Sequence, residues 1–338
     1  MPLWTDIVDP ATLTGYVRAS LSEYERNRAT LAQYLPNREV ADIVVRFFAG
    51  EAGLVEEALF RAFDAEIKPG ARPARKRTIL ELAAVGQEIA ISEYEQLRTR
   101  NAPDAQIEAS ILATARRVVQ AVADRVERLR GIVLATGKAT IPEIGADDTF
   151  GRKTEHDVTA TSLWSASNVD RLAYLQALRD IYLDTNGVEP GSMLMSSKVF
   201  TALSAGDQFR VQLNNGASRA STETDVRDIV TGAGLPPIVK YDRRTKSGKV
   251  LDDTKLLLLP APVDTDAWED TELGATFWGQ TLTSTDERYG IEESEQPGIV
   301  AGTYRGEKPP MIAEVISDAI ALPVLANANL SLAAKVLA

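Results

Sequence analysis

The chain has 338 residues, a mass of 36.7 kDa and 44% hydrophobic residues, enough for two domains or for one large domain with extensions. It has no cysteine and a single histidine, His156, which excludes a disulfide scaffold and every thiolate metal site and leaves little for a zinc or iron centre. A net charge of −11 and a pI of about 4.9 argue against nucleic-acid binding by the whole surface, although the imbalance is local: residues 1–140 carry 19 Lys and Arg against 19 Asp and Glu, and residues 141–338 carry 18 against 29.

Around Trp4, Asp6, Ile7 and Asp9 there is no basic segment followed by an apolar run, so the start does not read as a secretory signal. The apolar stretches 256–259 and 319–326 are far too short to span a bilayer, and a soluble protein made in a cytoplasm is expected. Up to about Arg46, helix-friendly residues (Leu21, Tyr24, Leu31, Tyr34) alternate with charges until Pro36 and Asn37 break the pattern; this reads as an extended, partly helical arm.

From Val44 to Tyr94 the pattern turns β-like, with strands expected at 58–67 and 78–91 around the segment KPGARPARKR at 68–77. Its two prolines and glycine forbid a helix and suit the tip of a long hairpin, and Lys68, Arg72, Arg75, Lys76 and Arg77 keep that tip solvated.

Residues 104–136 carry the strongest helical pattern, with Ile107, Ile111, Ala115, Val118, Val122, Val126, Leu129 and Val133 at steps of three and four. Pro103 precedes it, Asp104 and Glu108 suit the positive end of the dipole and Gly137 stops it. At 1.5 Å per residue the helix runs roughly 48 Å, too long to hide in a compact domain, so it is expected to be a spine across one.

The stretch 141–164 is turn-rich, with strands and loops around Asp147, Asp148 and Gly151. A second amphipathic helix follows, capped by Asn168, carried by Leu172, Leu175, Leu178, Tyr182 and Leu183 and ended by Asn186 and Gly187. An α/β alternation comes next: a strand at 192–195, a short helix near 198–203, a helix at 223–231 stopped by Gly232 and Gly234, and strands at 237–241 and 255–259 around the polar hairpin RRTKSGK at 243–249. Further strands are expected at 274–283 and 312–324, and there is no internal repeat.

An arm, a long hairpin, one spine helix, an α/β domain and a closing strand, in that order, resemble the shell proteins of tailed phages: the Hong-Kong-97-type capsid fold, and within it the lambda-type capsid protein E family. Three stretches carry the resemblance: 162–187, a Trp-containing entry followed by a helix; 228–259, with its helix, the turn GAGLPP and the strands IVKYD and KLLLLP; and the tail MIAEVISDAIALPVLANANLSLAAKVLA at 311–338. The resemblance implies an α+β fold with an N-terminal arm (1–45), an extended β-hairpin or E-loop (46–95), a peripheral domain (96–164 with 276–338) and an α/β axial domain (165–275). It also implies pentamers and hexamers of the chain in an icosahedral shell around DNA, with scaffold, portal and decoration proteins as further partners. The protein would be found in the virion after assembly in the host cytoplasm, with no membrane, cofactor or catalytic role. Some shells of this fold form a covalent Lys to Asn bond between subunits; Lys68 and Lys76 have no recognisable acid and asparagine context for it.

The basic tip contrasts with 264–307, where eleven acids face only Arg288 and Arg305. Opposed patches of this kind meet across a heterologous contact, so the tip is expected to dock on an acidic surface of an adjacent subunit, with Asp286, Glu287, Glu292, Glu293 and Glu295 as candidate partners. As a cation site those five lack the Asp-x-Asp-x-Asp-Gly spacing, and as a nucleic-acid site the tip lacks interleaved aromatics. His156, between Glu155 and Asp157, reads as a surface histidine in the absence of any nucleophile signature. Two alternatives stay open: an encapsulin-type nanocompartment shell, which a cargo-peptide groove would mark, and an α/β enzyme, which a pocket of convergent polar groups would mark.

Overall fold

The computed structural model describes residues 2–28, 31–49, 76–98, 103–166, 168–212 and 218–338. Helix α1 (Pro10–Asn27) opens at Asp9, whose carboxylate accepts the Thr12 N–H at 3.2 Å, with Pro10 in the first turn. Its face of Leu13, Val17 and Leu21 is buried against the spine helix. Strand β1 (Asn37–Glu39) then joins a sheet. The segment expected to be an extended arm is therefore a packed layer of the fold, because the four-residue apolar step already begins at Leu13.

Strands β2 (Val44–Ala49) and β3 (Lys76–Glu81) pair antiparallel, from Val44 opposite Glu81 to Ala49 opposite Lys76. A strand thus runs at Val44–Ala49, ahead of the two expected ones, and Lys76 and Arg77 lie in β3. The expected strand 58–67 and residues Lys68, Arg72 and Arg75 lie outside the described residues. Leu82 donates its N–H to Ile43 O at 2.9 Å, and the chain continues into β4 (Ala83–Ile91) and the short α2 (Glu93–Arg98).

Helix α3 (Asp104–Thr136) is the expected spine, 33 residues and about 50 Å long. Gly137, at φ 68°, closes it by donating to Val133 O at 2.8 Å. Ile111 to Val126 of its buried stripe belong to one apolar cluster and Leu129 to Ala135 to another, so one helix spans two cores.

After α3 come the hairpin β5 (Lys138–Ile141) and β6 (Ala146–Thr149), then β7 (Asp157–Thr159). Helix α4 (Arg171–Asn186) is capped by Asp170, not Asn168: the Asp170 carboxylate accepts the Ala173 N–H at 3.0 Å. Then follow β8 (Ser192–Met195), α5 (Ser197–Ser204), the short pair β9 (Val211–Gln212) and β10 (Ser218–Arg219), and α6 (Glu223–Gly232), opened by a capping box between Thr222 and Asp225. The chain continues through β11 (Ile238–Lys240), the hairpin β12 (Arg244–Thr245) and β13 (Gly248–Lys249), β14 (Lys255–Leu259), β15 (Gly274–Gly279), β16 (Val300–Arg305), β17 (Ala313–Leu325) and β18 (Leu332–Lys335).

Among the described residues two five-stranded sheets result. In the first, β17 pairs with β4 along one edge; along the other it pairs with β16 through residues 313–318 and with β15 through 320–325, and β1 lies outside β15. Ala313, Val315, Ser317, Ala319 and Ala321 of β17 are buried and the residues between them half-buried, so small side chains let α3 lie close across this sheet. The second sheet has the mixed order β11-β8-β14-β18-β7 and packs with Leu175, Tyr182, Val199, Leu203, Val226 and Val230 of α4, α5 and α6. The domain ranges expected from the sequence divide the chain differently: β7 and β18, grouped there with the spine helix, hydrogen-bond into the second sheet.

Candidate assembly surfaces and the joint between the two sheets

Between the two sheets lies a buried set of charges. Arg130, on α3, donates from Nη1 to Glu25 Oε1 of α1 at 2.7 Å and to Glu127 Oε2 at 3.4 Å, from Nη2 to Asn37 Oδ1 at 2.6 Å, and from Nε to Thr276 Oγ1 at 2.8 Å. Burial works against the Arg130 cation, but Glu25 and Glu127 outweigh it and hold the guanidinium charged more firmly than usual. Trp278 donates to the same Asn37 Oδ1 at 2.9 Å.

Glu127 also reaches the second sheet. Its Oε1 accepts the Leu31 N–H at 2.8 Å and the Tyr241 hydroxyl, and Arg243 lies 3.4 Å away. Burial first, and Glu127 second, keep Tyr241 a hydroxyl well above the usual range. Arg243 also donates to Asp124 Oδ1 at 2.7 Å and sits 5.0 Å over the Tyr24 ring. Since Tyr241 and Arg243 follow β11, this network pins the second sheet to α1, α3 and the first sheet. Sequence reasoning missed it. The signal was available: Glu127 and Arg130 sit three apart beside Val126, Leu129 and Val133 on the spine's buried stripe, where charges survive only when paired.

The five expected acids are not one cluster. Asp286 caps a 3-10 turn, accepts the Arg288 N–H at 3.0 Å and forms a forked ion pair with the Arg288 side chain, which lowers it to about 2. It lies within electrostatic reach of buried Tyr289, as does Asp318 of β17; burial, the Tyr304 hydroxyl 2.5 Å away and these carboxylates all raise Tyr289. A Cβ on Gly302 would fall 2.3 Å from the Tyr289 hydroxyl, so the glycine leaves the room that this side chain takes. Tyr289, Gly302 and Tyr304 line, with Glu88, Ile316 and Asp318, a groove of about 400 Å³ on a face of the first sheet. Glu287, Glu292, Glu293 and Glu295 are exposed. Glu295 belongs with Arg18, whose guanidinium donates to the Ile299 and Pro297 carbonyls at 3.1 Å, and with Glu39, which burial and the neighbouring Asp266 and Glu295 raise despite Arg18.

Four large apolar side chains stand in solvent near the first sheet: Tyr94 and Leu97 on α2, Met311 before β17 and Leu282, the last 90% exposed. Gln96 ties two of these segments by donating to Met311 O at 2.7 Å.

His156 is not on the surface. The turn that carries it packs on α4 and β18, its ring lies 6.2 Å from that of Tyr182, and burial, with Arg152 and Lys153 beside it, pushes it down to about 4. Among the described residues no three His, Asp or Glu are grouped to hold a metal ion, and no helix is long and apolar enough to cross a membrane.

No family model and no curated protein matches the sequence. The structure is similar to that of a protein described as the capsid protein of an E. coli CFT073 prophage, with a TM-score of 0.61 at 14% identity over 96% of this chain and 99% of that one. It is similar as well to a phage-related protein of Bordetella bronchiseptica RB50, with a TM-score of 0.57 at 14% identity over 98% and 97%. At such identities the likeness is one of fold, and the α+β Hong-Kong-97-type fold expected from the order of elements is the fold of this chain.

Proposed function

We propose that the chain is a structural shell subunit, the major capsid protein of a tailed phage, which assembles with copies of itself into an icosahedral head around double-stranded DNA. The observation that carries this reading is the likeness to a prophage capsid protein over 96% of this chain and 99% of that one. In this reading the body of the spine helix and first sheet is peripheral, and the second sheet, with β7 and β18, is axial. The hairpin that begins at β2 and β3 reaches onto a neighbouring subunit, and its residues Lys68, Arg72, Arg75, Lys76 and Arg77 meet an acidic surface there. Asp286 is already paired with Arg288, so the exposed Glu287, Glu292, Glu293 and Glu295, which make no ion pair among the described residues, are the members of the expected acids free to form that surface.

The subunit is not an enzyme in this proposal, and its partners are itself and the scaffold, portal and decoration proteins of a head. DNA is enclosed without sequence-specific contact, in keeping with a chain of net charge −11 that lacks the overall basic field needed to hold phosphates. The protein acts in the virion and is assembled in the host cytoplasm.

Negative-stain electron microscopy of the purified chain, alone and co-expressed with its genomic neighbours, alongside size-exclusion chromatography, tests this. Closed polyhedra, or rings of five and six subunits, are the expected result. A discrete monomer or dimer under every condition would overturn it, and particles that retain a protein cargo instead of DNA would move the assignment to a nanocompartment shell.

A further inference from the structure

The two edges of the second sheet differ in kind. At one edge, β7 pairs among the described residues with β18 alone, and together with α4 it lines a groove of about 470 Å³. Val158 and Ile181 are half-buried in the groove, and Glu155, Asp157 and Asp184 stand exposed around them. Glu155 and Asp184 make no ion pair among the described residues. An open strand edge beside a half-apolar groove is a template for an extended segment, and the carboxylates select a basic one.

At the opposite edge, β11 runs directly into the β12 and β13 hairpin. The hairpin RRTKSGK has four cations and no acid. Two of them are spent: Arg243 on Asp124 and Glu127, and Lys249 on Asp253. Arg244 and Lys246 are exposed and make no ion pair among the described residues. Four strand spacings separate the two edges, about 19 Å, so a hairpin on one edge does not fill the groove on the other within one subunit.

Resting on the shell reading above, we propose that the β12 and β13 hairpin of one copy seats in the groove between β7 and α4 of the next, with Arg244 and Lys246 against Glu155, Asp157 and Asp184. Different surfaces on the two partners make this a heterologous contact, which repeats head to tail and closes into a ring. Opposite charges at the two edges set the direction of the ring and disfavour edge-to-edge pairing of like surfaces, where carboxylates would face carboxylates.

The chain has no cysteine, so introduced pairs report cleanly. In assembled full-length protein, the double variant Asp184→Cys with Lys246→Cys should form an intermolecular ladder under oxidation that ends at the ring size, and neither single variant should form one. Lys and Glu exchanges give an independent test. Arg244→Glu with Lys246→Glu, or Glu155→Lys with Asp184→Lys, should each lose rings and particles while keeping the wild-type melting temperature, and the combination of both sets should restore assembly. Absence of the ladder in intact particles, or wild-type assembly by both reversed variants, overturns the proposal and leaves the shell reading standing. A wild-type chain that never assembles overturns the shell reading itself.

Discussion

Arg130 of the spine helix and Glu25 of α1, 105 residues apart in sequence, form an ion pair at 2.7 Å with both side chains almost wholly buried. Neither charge is placed there by local structure; each is tolerated because the other, with Glu127, Asn37 and Thr276, takes up its hydrogen-bonding capacity. Removing one partner strands the rest. Arg130→Met should lower the unfolding free energy by about 3–5 kcal/mol, read from urea denaturation, because buried Glu25 loses its cation and Glu127 keeps only Arg243. The triple variant Arg130→Met, Glu25→Gln, Glu127→Gln should recover part of that loss. Equal destabilisation by both variants would show that shape, and not charge, sets the cost.

His156 makes stability depend on pH. In the fold its pKa is about 4, against 6.5 for the exposed side chain, so between these values the unfolded chain takes up a proton that the native one refuses. The stability is present in full above pH 6.5 and is lost as pH falls toward 4, by about 3 kcal/mol for this group. Denaturation midpoints of wild type and His156→Gln across pH 4.5–7.5 check it. The wild-type curve should fall more steeply on acidification, and parallel curves would remove His156 as the cause.

A third expectation concerns Gly131, inside the spine helix. A Cβ there would lie 2.6 Å from the Val250 carbonyl oxygen, which is backbone and has nowhere to give. Gly131→Ala improves helix propensity by about 1 kcal/mol in an exposed helix, yet here it should destabilise by about 1–3 kcal/mol, since it pushes α3 away from the segment before β14. Thermal melts of Gly131→Ala beside the open-site Gly15→Ala, where nothing lies within 4 Å, separate the two effects.

The order of elements, the spine helix with its glycine stop and the strand 255–259 were legible because each rests on a local period or a local cap. What was not legible depends on contacts distant in sequence. The helix of Pro10–Asn27 reads as an arm until α3 supplies the surface for Leu13 and Val17, and His156 reads as exposed until β18, near the other end of the chain, covers it. The candidate assembly residues were chosen by charge along the chain, and charge along the chain does not say that Asp286 is spoken for by Arg288 or that Asp318 joins it near Tyr289.

The last expectation concerns the hairpin. Reversing Lys68, Arg72 and Arg75 to Glu avoids the β3 ladder that holds Lys76 and Arg77, so the subunit should fold with an unchanged melting temperature. If the basic segment docks on a neighbour's acids, the reversed variant should stay as free subunits or rings where the wild type forms closed particles. Wild-type assembly should then weaken between 0.05 and 0.5 M salt, as the screening length falls from roughly 14 to roughly 4 Å. Light scattering across that range, for both proteins, distinguishes a charge-steered contact from a shape-driven one. Salt-independent assembly with full particles from the reversed variant would show that the hairpin holds its neighbour through its strands and not through its charges.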